Sequence, residues 1–160
     1  MNLLQCYFHL NNGKYGTLAV PGVGFFPAFS GNGSATNNPG KANIPDIGPL
    51  PPGRYYILLR GRGGWFSQTK DSINAFFTGS NRSEWFALYR DDGVLNDETF
   101  YEYVRRGEFR LHPIGPSGLS KGCITLYSQS DFKVLATALL RTGGQQLGNY
   151  MIAHGIVQVY

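Results

Sequence analysis

Glycine and proline divide this chain into short pieces, and this constrains its fold more than any other feature of the sequence. The 160 residues include 22 Gly and 9 Pro, and the runs between them are rich in Tyr, Phe, Ile, Leu and Val. Aromatic and β-branched residues bounded by turn-forming residues are typical of short strands. Strands are expected at 4–10, 15–20, 54–60, 84–90, 107–112, 122–127 and 150–159. The fold class is therefore predicted to be mainly β, with one or two helices.

Turn and helix signals refine this prediction. The first two strands flank Asn11-Asn12-Gly13-Lys14, and an Asn-Gly pair is a strong hairpin signal. A helix is expected after Ser130, which could cap it, with Asp131 in its first turn. Its apolar stripe is Phe132, Leu135, Ala136, Leu139 and Leu140, and Arg141 and Gly143-Gly144 mark its end. A second, shorter helix is expected within 69–78 or 97–104, and the polar stretch 30–48 is expected to wrap the domain or border a cleft.

Length and charge limit the classes of protein to consider. The length suits one domain spanning 1–160, and without a run of about 18 apolar residues no membrane span is expected. The N-terminus lacks the basic start and cleavage site of a signal peptide, so we expect synthesis in the cytoplasm without one. The net charge is +4, but the 14 Lys and Arg are scattered and form no run longer than Arg105-Arg106. Nucleic acid is therefore not an expected partner.

The segment from Leu111 to Leu126 contains the ingredients of a cysteine nucleophile. His112 leaves one short apolar strand and Cys123 enters another, with a loop rich in Gly, Pro and Ser between them. A thiol with a pKa of ~8.5 is mostly protonated at neutral pH, so an imidazole base would make it a better nucleophile. The separation, 123 − 112 = 11 residues, requires the loop to bring two strand ends together. Gly122 would let backbone N–H groups near Cys123 form an oxyanion hole.

Other interpretations of the cysteines and histidines remain open at this point. A strand cysteine followed by isoleucine is often only a core residue. Cys6 lies in an alternating segment and is expected to be a buried free thiol, because a disulfide to Cys123 would block the nucleophile. Neither CxxC spacing nor a His/Cys quartet suggests a metal site, and no cofactor is expected. His9 and His154 are expected to be structural or surface residues.

The loop and its flanks resemble a known enzyme family. Ser120-Lys121-Gly122-Cys123-Ile124-Thr125-Leu126 resembles the signature of L,D-transpeptidases, cysteine enzymes that remodel peptidoglycan stem peptides. Residues 109–116, followed by Ser120 and Gly122-Cys123, resemble more closely a divergent branch, the L,D-transpeptidase effectors of type VI secretion systems. Segments 29–33, 37–39, 47–55 and 85–90 resemble further elements of that branch in the same order. Lys121 and Thr125 depart from the wider family, which has a histidine and an Arg or Asn there.

This resemblance implies a site and an activity. It implies an L,D-transpeptidase-like β-sandwich in which Cys123 is the nucleophile and His112 the general base. Gly122 and Ser120 would support the oxyanion hole and the loop. Substrate carboxylates would bind Arg110, which lies two residues before His112 on the same strand face, and Lys121. The implied reaction removes or exchanges the terminal D-alanine of tetrapeptide stems through a thioester.

The resemblance also implies partners and a place of action. Peptidoglycan stem peptides, a cognate immunity protein and components of the secretion apparatus are the expected partners, and the periplasm of a target bacterium is the expected compartment. Injection would explain a cell-wall enzyme without an export signal. Two alternatives stay open: a catalytically silent module that binds peptidoglycan or a partner, and a cysteine peptidase that cleaves ordinary L-peptides.

Overall fold

The computed structural model describes residues 3–59, 85–149 and 151–160, and most of these residues lie in or between short strands. The strands are β1 (Leu4–Phe8), β2 (Gly16–Val20), β3 (Gly24–Phe29), β4 (Gly53–Leu59), β5 (Phe86–Arg90), β6 (Glu98–Tyr101), β7 (Val104–Gly107), β8 (Arg110–Pro113), β9 (Ile124–Leu126), β10 (Gln145–Leu147) and β11 (Met151–Val159). The helix α1 spans Gln129–Arg141, and 3₁₀ turns span Gly33–Ala35 and Pro39–Lys41. The predicted mainly β class is confirmed.

Eight of these strands form a closed, barrel-like sheet. The order is β1-β2-β3-β9-β8-β5-β4-β11, and β11 returns to pair with β1, while β10 adds to β11. The closing pair is parallel, with Leu4 opposite Gly155 and Phe8 opposite Val159. β8 and β9 are also parallel neighbours, and β6 and β7 form a separate hairpin. The β-sandwich implied by the resemblance is not confirmed, because the strands pair into one continuous ring.

The main core is built from alternate residues of the ring and from one face of α1. Fully buried members from the strands are Phe8, Leu18, Tyr55, Ile57, Leu88, Leu111, Ile124 and Leu126. The helix adds Phe132, Leu135, Ala136 and Leu139, as its apolar stripe predicts. Burying a side chain of this size contributes roughly 1.5–3 kcal/mol. This core fixes the inner face of β8 and β9, which carry the residues discussed below.

Several predicted elements agree with the structure. The N-terminal hairpin is confirmed, with β1 and β2 antiparallel around Asn12, whose φ of 58° is left-handed. Strands are found within or beside the predicted ranges, although residues 60, 84 and 150 of those ranges lie outside the described part. The polar stretch 30–48 contains the two 3₁₀ turns and is fixed by the buried Asn37. This side chain accepts from the Ser30 N–H and donates to the Gly13 carbonyl.

Other predictions were wrong in detail. The range 97–104 is not a helix, because Glu102 and Tyr103 have φ values of 48° and 66° and form the tight turn between β6 and β7. The range 107–112 is not one strand, since Glu108, with φ 58°, separates β7 from β8. The helix cap is Ser128 and not Ser130. Strands β3 and β10 were not expected, and 69–78 lies outside the described residues.

Candidate active site

Strands β8 and β9 bring the predicted nucleophile and base to one face of the sheet. Leu111 lies opposite Ile124, and His112 lies opposite Thr125. Because Leu111 and Ile124 enter the core, strand alternation turns their neighbours His112 and Thr125 to the opposite face. Cys123 immediately precedes β9 and lies two residues before Thr125. The loop therefore brings Cys123 and His112 to the same face of adjacent strands, with Cys123 two residues before Thr125, the partner of His112.

Cys123 is a free thiol in a polar setting, although only 8% of the residue is exposed. Burial raises its pKa, and the backbone N–H and positive charge of Arg110, together with the backbone N–H of Lys121, act in the opposite direction. Cys6 is also free, as expected, but lies in the main core, where burial raises its pKa to about 12. The two thiols are thus in chemically distinct surroundings: at Cys123 these groups oppose the effect of burial, and the charge of Asp97 acts with it.

The imidazole of His112 is held by the backbone and by an aromatic ring. Its Nδ1 lies 2.7 Å from the carbonyl oxygen of Pro113. A carbonyl can only accept a hydrogen bond, so in the neutral ring Nδ1 carries the proton and Nε2 is the basic nitrogen. Nε2 lies 3.4 Å from Oγ1 of Thr125, on the face shared with Cys123. The Trp85 ring stacks on the imidazole, with centroids 4.0 Å apart and planes 18° apart.

The loop before Cys123 is fixed by Ser120 and by two residues of the 30–48 stretch. The Ser120 hydroxyl donates to the Cys123 carbonyl at 2.8 Å and accepts from the Gly31 N–H at 3.3 Å. The Ser120 N–H donates to Oδ1 of Asn32 at 2.8 Å. Ser120 is 1% exposed, so these bonds are shielded from water. The polar stretch therefore borders this loop.

Gly122 occupies a position that only glycine fits. Its φ is +89°, and a Cβ there would lie 2.5 Å from Nη2 of Arg106 and 2.9 Å from the Phe109 ring. Both the backbone conformation and the space exclude a side chain. Gly122 therefore lets Arg106 and Phe109 pack directly against the backbone that precedes Cys123, and the oxyanion hole stays a prediction.

Arg110 is held in place by Asp97. Its two terminal nitrogens lie 2.6 and 2.5 Å from the two carboxylate oxygens, and one of them also donates to the Phe109 carbonyl. This fork-to-fork pair fixes a positive charge next to Cys123. The substrate-binding role expected for Arg110 stays a prediction, since its guanidinium is engaged by Asp97. The substrate-binding role expected for Lys121 also stays a prediction. Its side chain is exposed and lines a nearby pocket.

Sequence reasoning assigned none of Trp85, Asp97, Arg106 or Asn32 to the site. Trp85 precedes β5, and Phe86 pairs with Leu111, so correct pairing of two expected strands would have placed Trp85 beside His112. The positions of Asp97 and Arg106 at the site could not be predicted from the neighbouring sequence, because the unexpected β6–β7 hairpin places them there. Among the residues that the structure describes, no group of three or more His, Cys, Asp or Glu could hold a metal ion.

Comparison with known proteins places most of the chain in one family. The Tlde1 domain model matches residues 24–149, a span that includes His112, Cys123 and the 30–48 stretch. No curated protein matches the chain. Within the described ranges, no helix is long and apolar enough to cross a membrane.

Proposed function

Because this chain belongs to the Tlde1-domain family of type VI secretion effectors, we propose that it is an antibacterial enzyme that attacks peptidoglycan. The proposed activity is that of a cysteine L,D-carboxypeptidase and L,D-transpeptidase acting on tetrapeptide stems. The observation that carries this proposal is that Cys123 and His112 lie on the same face of two adjacent strands, with Nδ1 of His112 directed at a backbone carbonyl. The resemblance of residues 109–126 to L,D-transpeptidases supplies the substrate class.

The first step forms a thioester. His112 Nε2 takes the proton of the Cys123 thiol as Sγ attacks the carbonyl carbon of the third stem residue. Backbone N–H groups around Gly122 hold the negative oxygen of the tetrahedral intermediate. The C–N bond then breaks, and D-alanine leaves with the proton that His112 returns to its nitrogen.

The second step releases the acyl group. His112 takes a proton from water or from an incoming amine, whose oxygen or nitrogen bonds to the thioester carbon. The C–S bond then breaks, and the Cys123 thiolate leaves and takes the proton from His112. Water gives a trimmed tripeptide stem, a D-amino acid gives an exchanged stem, and a neighbouring stem amine gives a crosslink. Because burial raises the pKa of Cys123, the thiol depends on this base during attack.

The biological setting follows from the family and the proposed chemistry. We infer that the enzyme acts in the periplasm of a target bacterium, where peptidoglycan is accessible. A cognate immunity protein would protect the producing cell. The alternative of a catalytically silent binding module has the same partners but requires no turnover.

Mass spectrometry of tetrapeptide muropeptides tests the proposal. The wild-type protein, Cys123→Ala and Cys6→Ala are incubated with the substrate, with and without D-methionine. We expect loss of D-alanine, or its replacement by methionine, with the wild type and with Cys6→Ala, and neither with Cys123→Ala. Circular dichroism checks that each variant is folded. Unchanged muropeptides with a folded wild-type protein and an intact thiol would favour the binding module.

A further inference from the structure

A pocket of about 570 Å³ lies beside the loop that carries Cys123. Its walls are the loop at Pro45 and Asp46, the base of the β6–β7 hairpin, and Lys121. Two of the wall residues contact the nucleophile or the glycine before it. The Lys121 N–H acts on the Cys123 sulfur, and the Arg106 guanidinium lies under Gly122. The pocket is therefore next to the proposed reaction centre.

The charges lining this pocket divide into two groups. Asp97 is neutralised by Arg110, and Glu98 is paired with Arg105 at 2.6 Å. The second group has no salt bridge with any residue in the described part of the chain. It consists of two carboxylates, Asp46 and Glu108, and two cations, Arg106 and Lys121. Two carboxylates and two cations thus line the pocket without a salt bridge among the described residues.

Arg106 gives the clearest sign that an anion belongs here. It is 4% exposed, and its terminal nitrogens donate to the carbonyl oxygens of Ala42, Gly48 and Pro49. These partners are neutral, and burial lowers the pKa of the guanidinium, while Tyr55, Asp46 and Cys123 act in the opposite direction. A carboxylate in the pocket would place a further negative charge near this buried cation.

We propose that this pocket binds an α-amino-acid zwitterion, with the carboxylate toward Lys121 and Arg106 and the ammonium toward Asp46 and Glu108. The inference rests on the proposed function, which supplies two sources of this chemistry. One is a free D-amino acid that enters as the acyl acceptor. The other is the zwitterionic end of a diamino acid side chain at the third stem position.

A binding experiment that needs no turnover tests the pocket itself. D-methionine is titrated into folded Cys123→Ala protein, and the backbone amides of Lys121 and Glu108 are followed by NMR. We expect saturable shifts with D-methionine, and at least tenfold weaker binding of D-methioninamide and N-acetyl-D-methionine, which each lack one charge. Binding of the two blocked compounds as tight as that of D-methionine would overturn the proposal.

Kinetics with variants that each lose one charge then shows whether the bound zwitterion is the free D-amino acid or the end of the stem side chain. Lys121→Gln and Glu108→Gln are compared with Lys133→Gln and Glu102→Gln, which remove exposed charges outside the pocket. A KM for D-methionine that rises about tenfold only in the pocket variants assigns the pocket to the acceptor. A KM that rises instead for stems with diaminopimelate, but not for stems with lysine, assigns the pocket to the zwitterionic end of the diaminopimelate side chain, which lysine lacks. Unchanged KM values in both assays would overturn the proposal.

The two experiments separate the failure of this inference from the failure of the proposed function. If the wild-type protein releases no D-alanine, the proposed function fails, but the NMR titration still reports whether the pocket takes a zwitterion. If D-alanine is released and D-methionine does not bind, with KM values that do not respond to the variants, only the pocket assignment fails.

Discussion

The polar groups around one of the two buried cysteines, Arg110 foremost among them, make the two thiols chemically different. Cys6 is surrounded by apolar side chains, and burial raises its pKa to about 12. Cys123 is nearly as buried, but the charge and backbone N–H of Arg110 oppose the effect of burial. A thiolate is the reactive form, so reactivity should depend on this charge.

We expect Arg110→Gln to raise the pH at which Cys123 is half-maximally alkylated by about one unit. The substitution removes the cation and leaves burial and Asp97, both of which raise the pKa of the thiol. Arg110→Lys keeps the charge but not the fork and should fall between the two. The measurement is the pH profile of iodoacetamide alkylation, read by mass spectrometry, with the folded state checked by circular dichroism.

The control is Arg105→Gln, which removes an exposed arginine that is paired with Glu98. Its alkylation profile should match that of the wild type. Cys6 serves as an internal control and should react only after unfolding. An unchanged profile in a folded Arg110→Gln protein would show that this charge does not set the reactivity of Cys123.

Gly122→Ala should destabilise the protein much more than Gly118→Ala. Both glycines have a left-handed φ, +89° and +62°, so both substitutions incur a backbone cost of about 1–2 kcal/mol. Only at Gly122 would the new Cβ also collide with Arg106 and Phe109, whereas nothing lies within 4 Å at Gly118. Urea unfolding of the two variants isolates this steric cost. Equal losses would mean that Arg106 and Phe109 can move away.

At the scale of elements, local patterns predicted those parts of the fold that local chemistry specifies. The Asn-Gly turn and the apolar stripe of α1 depend on neighbours in sequence, and both were found. The β6–β7 hairpin was mistaken for a helix because its turn residues, Glu102 and Tyr103, are not the usual left-handed residues. Asp97 and Arg106 reach the site through this hairpin, so their roles could not be predicted either.

At the start of α1, two serines are candidates for the residue that caps the helix. Ser128 Oγ accepts from the Asp131 N–H at 3.2 Å, whereas Ser130 bonds only to the Ser128 hydroxyl, at 2.9 Å, among the contacts of the described residues. Ser128→Ala should therefore cost about 1 kcal/mol of unfolding free energy. Ser130→Ala should cost less than about 0.5 kcal/mol. Urea denaturation measures the two losses of stability. A larger loss for Ser130→Ala than for Ser128→Ala would mean that Ser130 caps the helix, as the sequence predicted.

At the scale of the whole molecule, the active-site geometry depends on pairings between distant segments. β1 and β11 close the ring across nearly the full length of the chain, and β9 pairs with both β3 and β8. Strand periodicity does not specify such partners, because alternation shows which residues are buried and not which strand lies alongside. The His112 and Cys123 pair was predicted from the chemistry that it would perform, and the parallel pairing of β8 and β9 is the geometry that allows it.

Global stability should depend on pH through His154, which joins β11 to the end of α1. The residue is 2% exposed, and its Nδ1 lies 3.1 Å from the Leu139 carbonyl oxygen. Burial lowers its pKa from the usual 6.5, so the native state favours the neutral ring. Below pH 6.5 the unfolded chain binds the proton more readily, and stability falls as the pH drops toward the native pKa.

His154→Gln should remove this part of the pH dependence. Between pH 7.5 and 5.5, we expect the wild type to lose up to about 1 kcal/mol more unfolding free energy than the variant. Urea midpoints at the two pH values measure the difference, and His9→Gln, which removes an exposed histidine, should behave like the wild type. The sign follows from burial, because a histidine held neutral in the native state must oppose folding once the unfolded chain is protonated. Equal pH dependence in the wild type and His154→Gln would mean that the buried ring accepts a proton without cost.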